Sequence, residues 1–167
     1  MTAKKSPLEG MNMGTVATVA IRELPRLTTI DLRVAPGTVE QAAVTEVLGL
    51  DLPTKTGQTL GGAVSAGGEG EAHALCLAPD WWLLIGFERV EQQLAPLRLN
   101  DDYHFSVVDV SGQRTTIQLE GPKVCEVLVH LWEQDLREKS FPVASVSQGL
   151  MAKAPVISGI LLRCVIV

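Results

Sequence analysis

Two segments of the chain, residues 78–84 and 108–115, constrain its fold most, because each couples a strand pattern to a tight polar turn. Pro79-Asp80 forms the first turn and Ser111-Gly112-Gln113 the second, and these residue types favour turns through their backbone conformations. Each turn lies between two strand patterns, so both segments predict antiparallel hairpins. The flanking strands are predicted at residues 74–77, 81–86, 103–110 and 115–119.

Helical patterns separate the predicted strand pairs. Thr38-Val39-Glu40-Gln41 has the form of a capping box, which predicts a helix over residues 39–48 that stops at Gly49. A second helix is predicted over residues 90–97, and a third opens at Gly121-Pro122. The expected inner stripe of the first helix is Val39, Ala43, Val44, Val47 and Leu48. The expected stripe of the third is Val124, Val127, Leu128, Leu131 and Trp132.

The remaining segments complete the fold prediction. The glycine-rich stretch at residues 51–71 is expected to be a long flexible loop. Helices inserted between antiparallel strand pairs indicate an α+β fold, with antiparallel sheets and helices packed on one side. Further strands are expected at residues 17–24, 27–34, 147–153 and 156–167. The domain prediction is an N-terminal arm at residues 1–14, an N-terminal α+β lobe at 15–100 and a C-terminal α+β lobe at 101–167.

Composition excludes several classes of function. A net charge of -5 argues against nucleic-acid binding, which normally requires a basic surface. The 3 cysteines are odd in number and far apart, which fits a reducing compartment. The longest apolar run, residues 154–167, is shorter than the roughly 20 residues of a membrane helix. We therefore predict a soluble cytoplasmic protein with no membrane partner.

A search for reactive groups predicts no catalytic, cofactor-binding or metal site in this chain. The nearest candidate for nucleophilic chemistry is Ser111 beside Asp109 and Arg114, because a nucleophile needs a neighbouring base. A Ser-Gly turn is more simply explained by its hydrogen bond and backbone conformation. His73 with Cys76, and likewise Cys125 with His130, have spacings that do not allow a shared ion.

Trp81 and Trp82 suggest a surface role instead. Adjacent strand residues point to opposite faces, so Leu83 and Ile85 share a face with Trp81. A strand that is apolar on both faces is either buried within the chain or covered by a partner. Both readings stay open from the sequence, and the candidate partner interface consists of Trp81, Leu83 and Ile85.

A set of short motifs runs along residues 5–158. They are Lys5-Ser6-Pro7-Leu8, Ala78-Pro79-Asp80-x-Trp82-Leu83-Leu84, Val108-Asp109-Val110-Ser111-x-x-Arg114-Thr115, Leu119-x-Gly121-Pro122, Asp135-Leu136, Phe141-Pro142 and Gln148-x-Leu150-x-Ala152-Lys153-Ala154-Pro155. In their order and spacing, these residues resemble the gamma subunit family of heterotetrameric sarcosine oxidase.

The resemblance implies a non-catalytic subunit that acts in assembly and stability beside alpha, beta and delta subunits. In such a complex sarcosine is oxidised to glycine, and FAD, FMN, NAD and tetrahydrofolate are expected in the partner subunits, with none bound by this chain. It also implies a fold similar to that of the folate-binding aminomethyltransferases. The family continues beyond the last predicted strand, so we expect this chain to be truncated relative to it. The last predicted strand is apolar and would be prone to association as an exposed edge, so we expect it to be internal, covered by a partner or followed by further chain.

Two other functions remain open. The first is a free-standing tetrahydrofolate-binding or one-carbon transfer protein of the related fold, for which Asp109 is the acid to consider. The second is the equivalent subunit of an oxidase for another N-methyl amino acid.

Overall fold

The computed structural model describes Leu8 and residues 11–63, 71–160 and 164–166. The chain divides into two compact units. One unit is residues 27–113, and the other combines residues 1–26 with 114–167. The predicted boundary between the lobes, at residue 100, lies inside the unit of residues 27–113. The other unit is assembled from both ends of the chain.

The elements follow in chain order. They are β1 (Asn12–Gly14), β2 (Ala20–Glu23), β3 (Thr29–Val34), α1 (Val39–Leu48), β4 (Thr59–Ala63), β5 (Glu71–Ala78), β6 (Trp81–Ile85), α2 (Val90–Leu94), a 3-10 helix (Ala95–Leu99), β7 (Phe105–Asp109), β8 (Ile117–Glu120), α3 (Val124–Leu128), β9 (Val146–Met151), β10 (Ala154–Ile160) and β11 (Cys164–Ile166).

The unit of residues 27–113 contains a five-stranded antiparallel sheet of order β4-β5-β6-β3-β7. Alternate residues of its strands pack against the helices on one face, as the α+β pattern predicts. Trp82 is buried in this core, and its indole N–H donates to the Pro53 carbonyl at 2.9 Å. The buried core residues include Ile30, Leu32, Val44, Leu48, Trp82, Leu84, Val90, Leu94 and Val107.

Helix α1 has the predicted bounds because its ends are encoded locally. The Thr38 hydroxyl accepts from the Gln41 N–H at 3.3 Å, and Gly49 closes the helix in the left-handed region at φ 64°. The Gln41 side chain accepts from the Gly37 N–H at 2.6 Å, one residue further back than the usual capping box. Val39 is 70% exposed, so its place in the predicted inner stripe is wrong.

The strand pairing confirms one prediction and corrects another. β5 and β6 form the hairpin expected around Pro79-Asp80. Residues 59–63, predicted as flexible loop, instead form β4 and pair with β5; residues 64–70 lie outside the described part. Glycine at position 61 permits this pairing because it has no side chain. A Cβ there would lie 2.2 Å from His73 Nδ1, so only glycine allows the two strands to come this close.

The unit formed by the two ends of the chain contains a six-stranded antiparallel sheet of order β1-β2-β8-β11-β10-β9. Its core includes Leu119, Val124, Leu128, Trp132 and Phe141. Helix α3 ends at Leu128, whereas the predicted stripe continues to Trp132. Val127 and Leu131 are 37% and 46% exposed, so only part of the predicted stripe faces the core.

The second predicted hairpin is wrong. β7 pairs with β3, whereas β8 pairs with β2 and β11 in the other sheet. The turn at residues 111–113 therefore connects two sheets. The predicted strand at residues 156–167 is divided into β10 and β11, and β11 lies between β8 and β10. Of the arrangements expected for the last strand, residues 164–166 therefore have the internal one, with a neighbouring strand on each side.

Candidate functional site

Trp81 stands at the start of β6, directly opposite Arg33 on β3. Its indole N–H donates to Asp31 Oδ2 at 2.8 Å, and the guanidinium carbon of Arg33 lies 4.2 Å from the ring centroid. Arg33 Nε is also 3.5 Å from Asp31 Oδ1. Asp31 and Arg33 are two residues apart on β3 and therefore share the sheet face that carries Trp81. We call these three residues the Trp81 cluster.

Burial separates the three residues of the predicted interface. Leu83 is 0% exposed and Ile85 is 5% exposed within the chain itself. Trp81 is partly exposed, so it is the member of the three that offers surface to a partner. The assignment of these residues to an interface stays a prediction.

The side chains of the Trp81 cluster hold one another in place and remain partly exposed. The side chains of Arg33 and Asp31 are 47% and 24% exposed, and the stacked guanidinium keeps N–H groups available to an acceptor. Val108, 47% exposed, pairs with Asp31 across the sheet and adds apolar area. Trp and Arg are residue types enriched at protein interfaces.

Ser111, the sequence candidate for nucleophilic chemistry, is engaged in the turn. Its hydroxyl accepts from the buried Thr29 N–H at 2.8 Å and donates to the Asp109 carboxylate. Asp109 also accepts from the Ser111 N–H at 2.8 Å. Arg114 belongs to the other compact unit. These bonds give Ser111 and Asp109 a structural role that joins β7 to β3.

The remaining reactive groups are the potential metal ligands and the thiols. Within residues 11–63, 71–160 and 164–166, no group of three or more His, Cys, Asp or Glu side chains could hold a metal ion. Cys76 is buried and Cys125 is exposed, and both are free thiols; burial raises the pKa of the Cys76 thiol. The described residues contain no helix long and apolar enough to span a membrane.

A second surface was missed by the sequence analysis. An open groove of about 840 Å³ lies between α1 and the segment of residues 51–60. The sequence gives no sign of it, because the glycine-rich pattern that includes β4, which borders the groove, predicts a loop. We call it the α1–β4 groove. Its lining residues are Gly37, Thr38, Gln41, Ala42, Thr45, Glu46, Asp51, Leu52, Pro53, Thr54, Gln58 and Leu60.

The fold is that of a mixed α/β protein with two antiparallel sheets, and the Trp81 cluster lies partly exposed on one of them. The model of the sarcosine oxidase, gamma subunit family matches residues 34–161. The chain therefore belongs to this family, and the resemblance noted in the sequence is confirmed.

Relatives and a solved structure agree with this assignment. The sarcosine oxidase subunit gamma of Corynebacterium sp. (strain P-1) is 31% identical over 161 residues, which cover 93% of this chain and 76% of the relative. The subunit gamma of Arthrobacter sp. is 31% identical over 150 residues, 89% of this chain and 71% of the relative. The structure of heterotetrameric sarcosine oxidase from Corynebacterium sp. U-96 in complex with pyrrole 2-carboxylate matches with TM-score 0.76 and 25% identity, covering 93% of this chain and 77% of that chain.

Proposed function

We propose that this chain is the gamma subunit of a heterotetrameric sarcosine oxidase and acts in the assembly and stability of the complex. The observation that carries the proposal is the family match over residues 34–161, extended by a structural likeness over 93% of the chain. A likeness that covers both compact units, rather than one motif, supports a shared role for the whole fold.

The chemistry of the complex is assigned to the partner subunits. The partners proposed are alpha, beta and delta subunits, with FAD, FMN, NAD and tetrahydrofolate bound outside this chain, in the cytoplasm. In this proposal the complex oxidises sarcosine to glycine. We also propose that the two-sheet fold is related to that of the folate-binding aminomethyltransferases.

The Trp81 cluster is the proposed contact with a partner subunit. The hydrogen bond to Asp31 and the stacked Arg33 hold the indole in one orientation before binding. A preoriented side chain loses little conformational entropy on association, and a Trp of this kind is often an energetic anchor. Leu83 and Ile85 would then support Trp81 from within the sheet rather than touch the partner.

Affinity purification of the tagged chain from its own host tests the assembly role. We expect co-elution of the partner subunits, the visible absorbance of flavin in the eluate, and sarcosine turnover. A complex that assembles and turns over sarcosine equally well after removal of this chain would contradict the proposal.

Substitution of Trp81 tests the contact. Trp81→Ala is expected to weaken association with the partners by about tenfold or more, the scale of an interface anchor. Trp81→Phe, which keeps an aromatic ring but lacks the indole N–H that bonds Asp31, should lose less. Leu99→Ala is the matched control, since Leu99 is 86% exposed and lies outside the cluster. Equal affinities for Trp81→Ala and Leu99→Ala would remove Trp81 from the interface.

Two alternatives are tested separately. For a free-standing folate-binding protein, the acid considered was Asp109, whose carboxylate is held by Ser111; calorimetric titration of the chain alone with a reduced folate would detect that function. For an oxidase of another N-methyl amino acid, turnover by the purified complex with sarcosine and with other N-methyl amino acids identifies the preferred substrate.

A further inference from the structure

β9 and β10 form a hairpin that extends beyond the strand next to it. The two strands pair as far as Met151 and Ala154, so residues 152 and 153 form a two-residue turn. β11 pairs with β10 only at residues 158–160, and residues 154–157 have no strand on that side within the described part of the chain. We call residues 148–155 the hairpin tip. All of its residues except Met151 are exposed.

One face of the hairpin tip is anchored to the core of its unit. Gly149 and Met151 share this face, because alternate strand residues point the same way. Trp132 lies behind it, since a Cβ at Gly149 would lie 3.2 Å from Trp132 Nε1 and Trp132 forms an isolated bridge with Met151. The Ala152 N–H also donates to the Leu131 carbonyl at 2.7 Å. These contacts hold the hairpin tip in position.

The opposite face of the hairpin tip is apolar and exposed. Leu150 is 63% exposed, and it pairs with Pro155, which is exposed as well. This pair follows the one that closes the two-residue turn and is therefore non-hydrogen-bonded, the type of pair in which the side chains lie closest. Leu150 and Pro155 thus adjoin one another, and adjoining apolar side chains on a surface indicate a contact more than scattered ones do.

Pro155 determines how a partner can contact the hairpin tip. In a non-hydrogen-bonded pair the backbone groups point away from the facing strand, so those of Pro155 point to the side that β11 leaves uncovered. Proline has no N–H, and a proline at such an edge blocks the addition of another strand. The contact is therefore made through side chains.

Charge indicates the chemistry of the partner. Lys153 is the single charged residue at positions 140–162, and it is exposed in the turn. It forms no ion pair with any residue that the structure describes, which includes the exposed Glu133 on the neighbouring segment. A lone cation beside apolar side chains complements a surface that offers both apolar area and a carboxylate.

We propose that the hairpin tip is a second contact with a partner subunit, which covers Leu150 and Pro155 with apolar side chains and places a carboxylate against Lys153. This inference rests on the proposed function, because the partner is taken to be a subunit of the same complex. A hairpin already held by Trp132 and Leu131 loses little conformational entropy on association. The hairpin tip and the Trp81 cluster belong to different compact units, so separate variants test the two contacts.

The test places two versions of the full chain in competition for limiting amounts of the partner subunits. Wild type and a variant carry different tags and are co-expressed with the partners, and mass spectrometry measures their ratio in the flavin-containing fraction. Leu150→Asp is expected to be depleted there by about tenfold or more, because it places a charge in an apolar contact. Lys153→Glu should be depleted by about two- to tenfold, the range for exposed charge pairs.

Matched controls separate the contact from general effects of exposed charges. Leu99→Asp and Lys55→Glu change an exposed leucine and an exposed lysine of the other compact unit, and both should enter the complex as often as wild type. Urea denaturation of each isolated chain should give an unchanged midpoint, since the substituted side chains are exposed. Leu150→Ala, which adds no charge, replaces Leu150→Asp if the latter lowers the midpoint, and it should be depleted in the same direction.

The proposed function and this inference fail in different ways. If wild type itself enters no flavin-containing complex, the proposed function is wrong and the inference is wrong with it. If wild type assembles and the variants at Leu150 and Lys153 enter as often as their controls, the inference alone is wrong. Self-association of the isolated chain in sedimentation that is lost in Leu150→Asp would also overturn it, because the hairpin tip would then contact a second copy of this chain.

Discussion

Replacement of Ser111 by alanine tests the structural role of the turn that follows β7. Ser111 is 6% exposed and Thr29 is 2% exposed, and the Ser111 hydroxyl is the acceptor for the Thr29 N–H at 2.8 Å. Alanine would leave that buried N–H without a partner. An unsatisfied buried donor costs about 1–3 kcal/mol, and the lost bond to Asp109 adds little because the exposed carboxylate can bind water instead.

The expected result is therefore a decrease of about 2 kcal/mol in the free energy of unfolding, which corresponds to a melting temperature lower by about 4–8 °C in a chain of this length. Urea denaturation should show a lower midpoint with an unchanged m-value. Asp109→Asn keeps an acceptor for Ser111 and should cost less. The control is Ser106→Ala, an exposed serine on β7, for which we expect a change within about 0.5 kcal/mol.

This reasoning would be refuted if Ser111→Ala and Ser106→Ala had equal stabilities. A complex assembled with Ser111→Ala should also retain its sarcosine turnover per flavin. A loss of turnover without a loss of stability would indicate that Ser111 acts as a nucleophile. The hydrogen bonds of the turn argue against that role.

Two further predictions concern stability. Gly121→Ala should lower the free energy of unfolding by about 4 kcal/mol or more, since φ is +130° and the new Cβ would lie 2.3 Å from the Thr18 carbonyl oxygen. Gly49→Ala, at φ +64° with open space around the new Cβ, should lower it by about 1–2 kcal/mol in the same denaturation assay. Hydrogen bonds from Arg137 and Ser140 lower the pKa of Asp135, so its contribution to stability is present above about pH 4 and is lost as the pH falls below that value. Asp135→Asn should therefore lower the urea midpoint at neutral pH and reduce its acid dependence, and an unchanged pH profile would contradict this assignment.

The candidate site could be predicted only in part. Two adjacent tryptophans on one strand directed attention to Trp81, because a strand that is apolar on both faces needs a cover on each. Its neighbours Asp31 and Arg33 gave no signal, since the hydrogen bond to Asp31 spans 50 positions. The burial of Leu83 and Ile85 could not be predicted from their position on one face of the strand either, because burial depends on which distant segments pack against that face. The α1–β4 groove was missed because the glycines that predicted a loop instead allow β4 to approach His73.

The sequence by itself determined the features that depend on near neighbours, together with the family. Helix α1 has its predicted ends because the capping bonds of Thr38 and Gly49 join residues three or four positions apart. The partners of each strand were decided only by the tertiary structure. β8 pairs with β2 through contacts such as that between Arg22 and Gln118, 96 residues apart. A turn sequence specifies a local change of chain direction, but which strand receives the chain depends on how distant apolar faces are buried together.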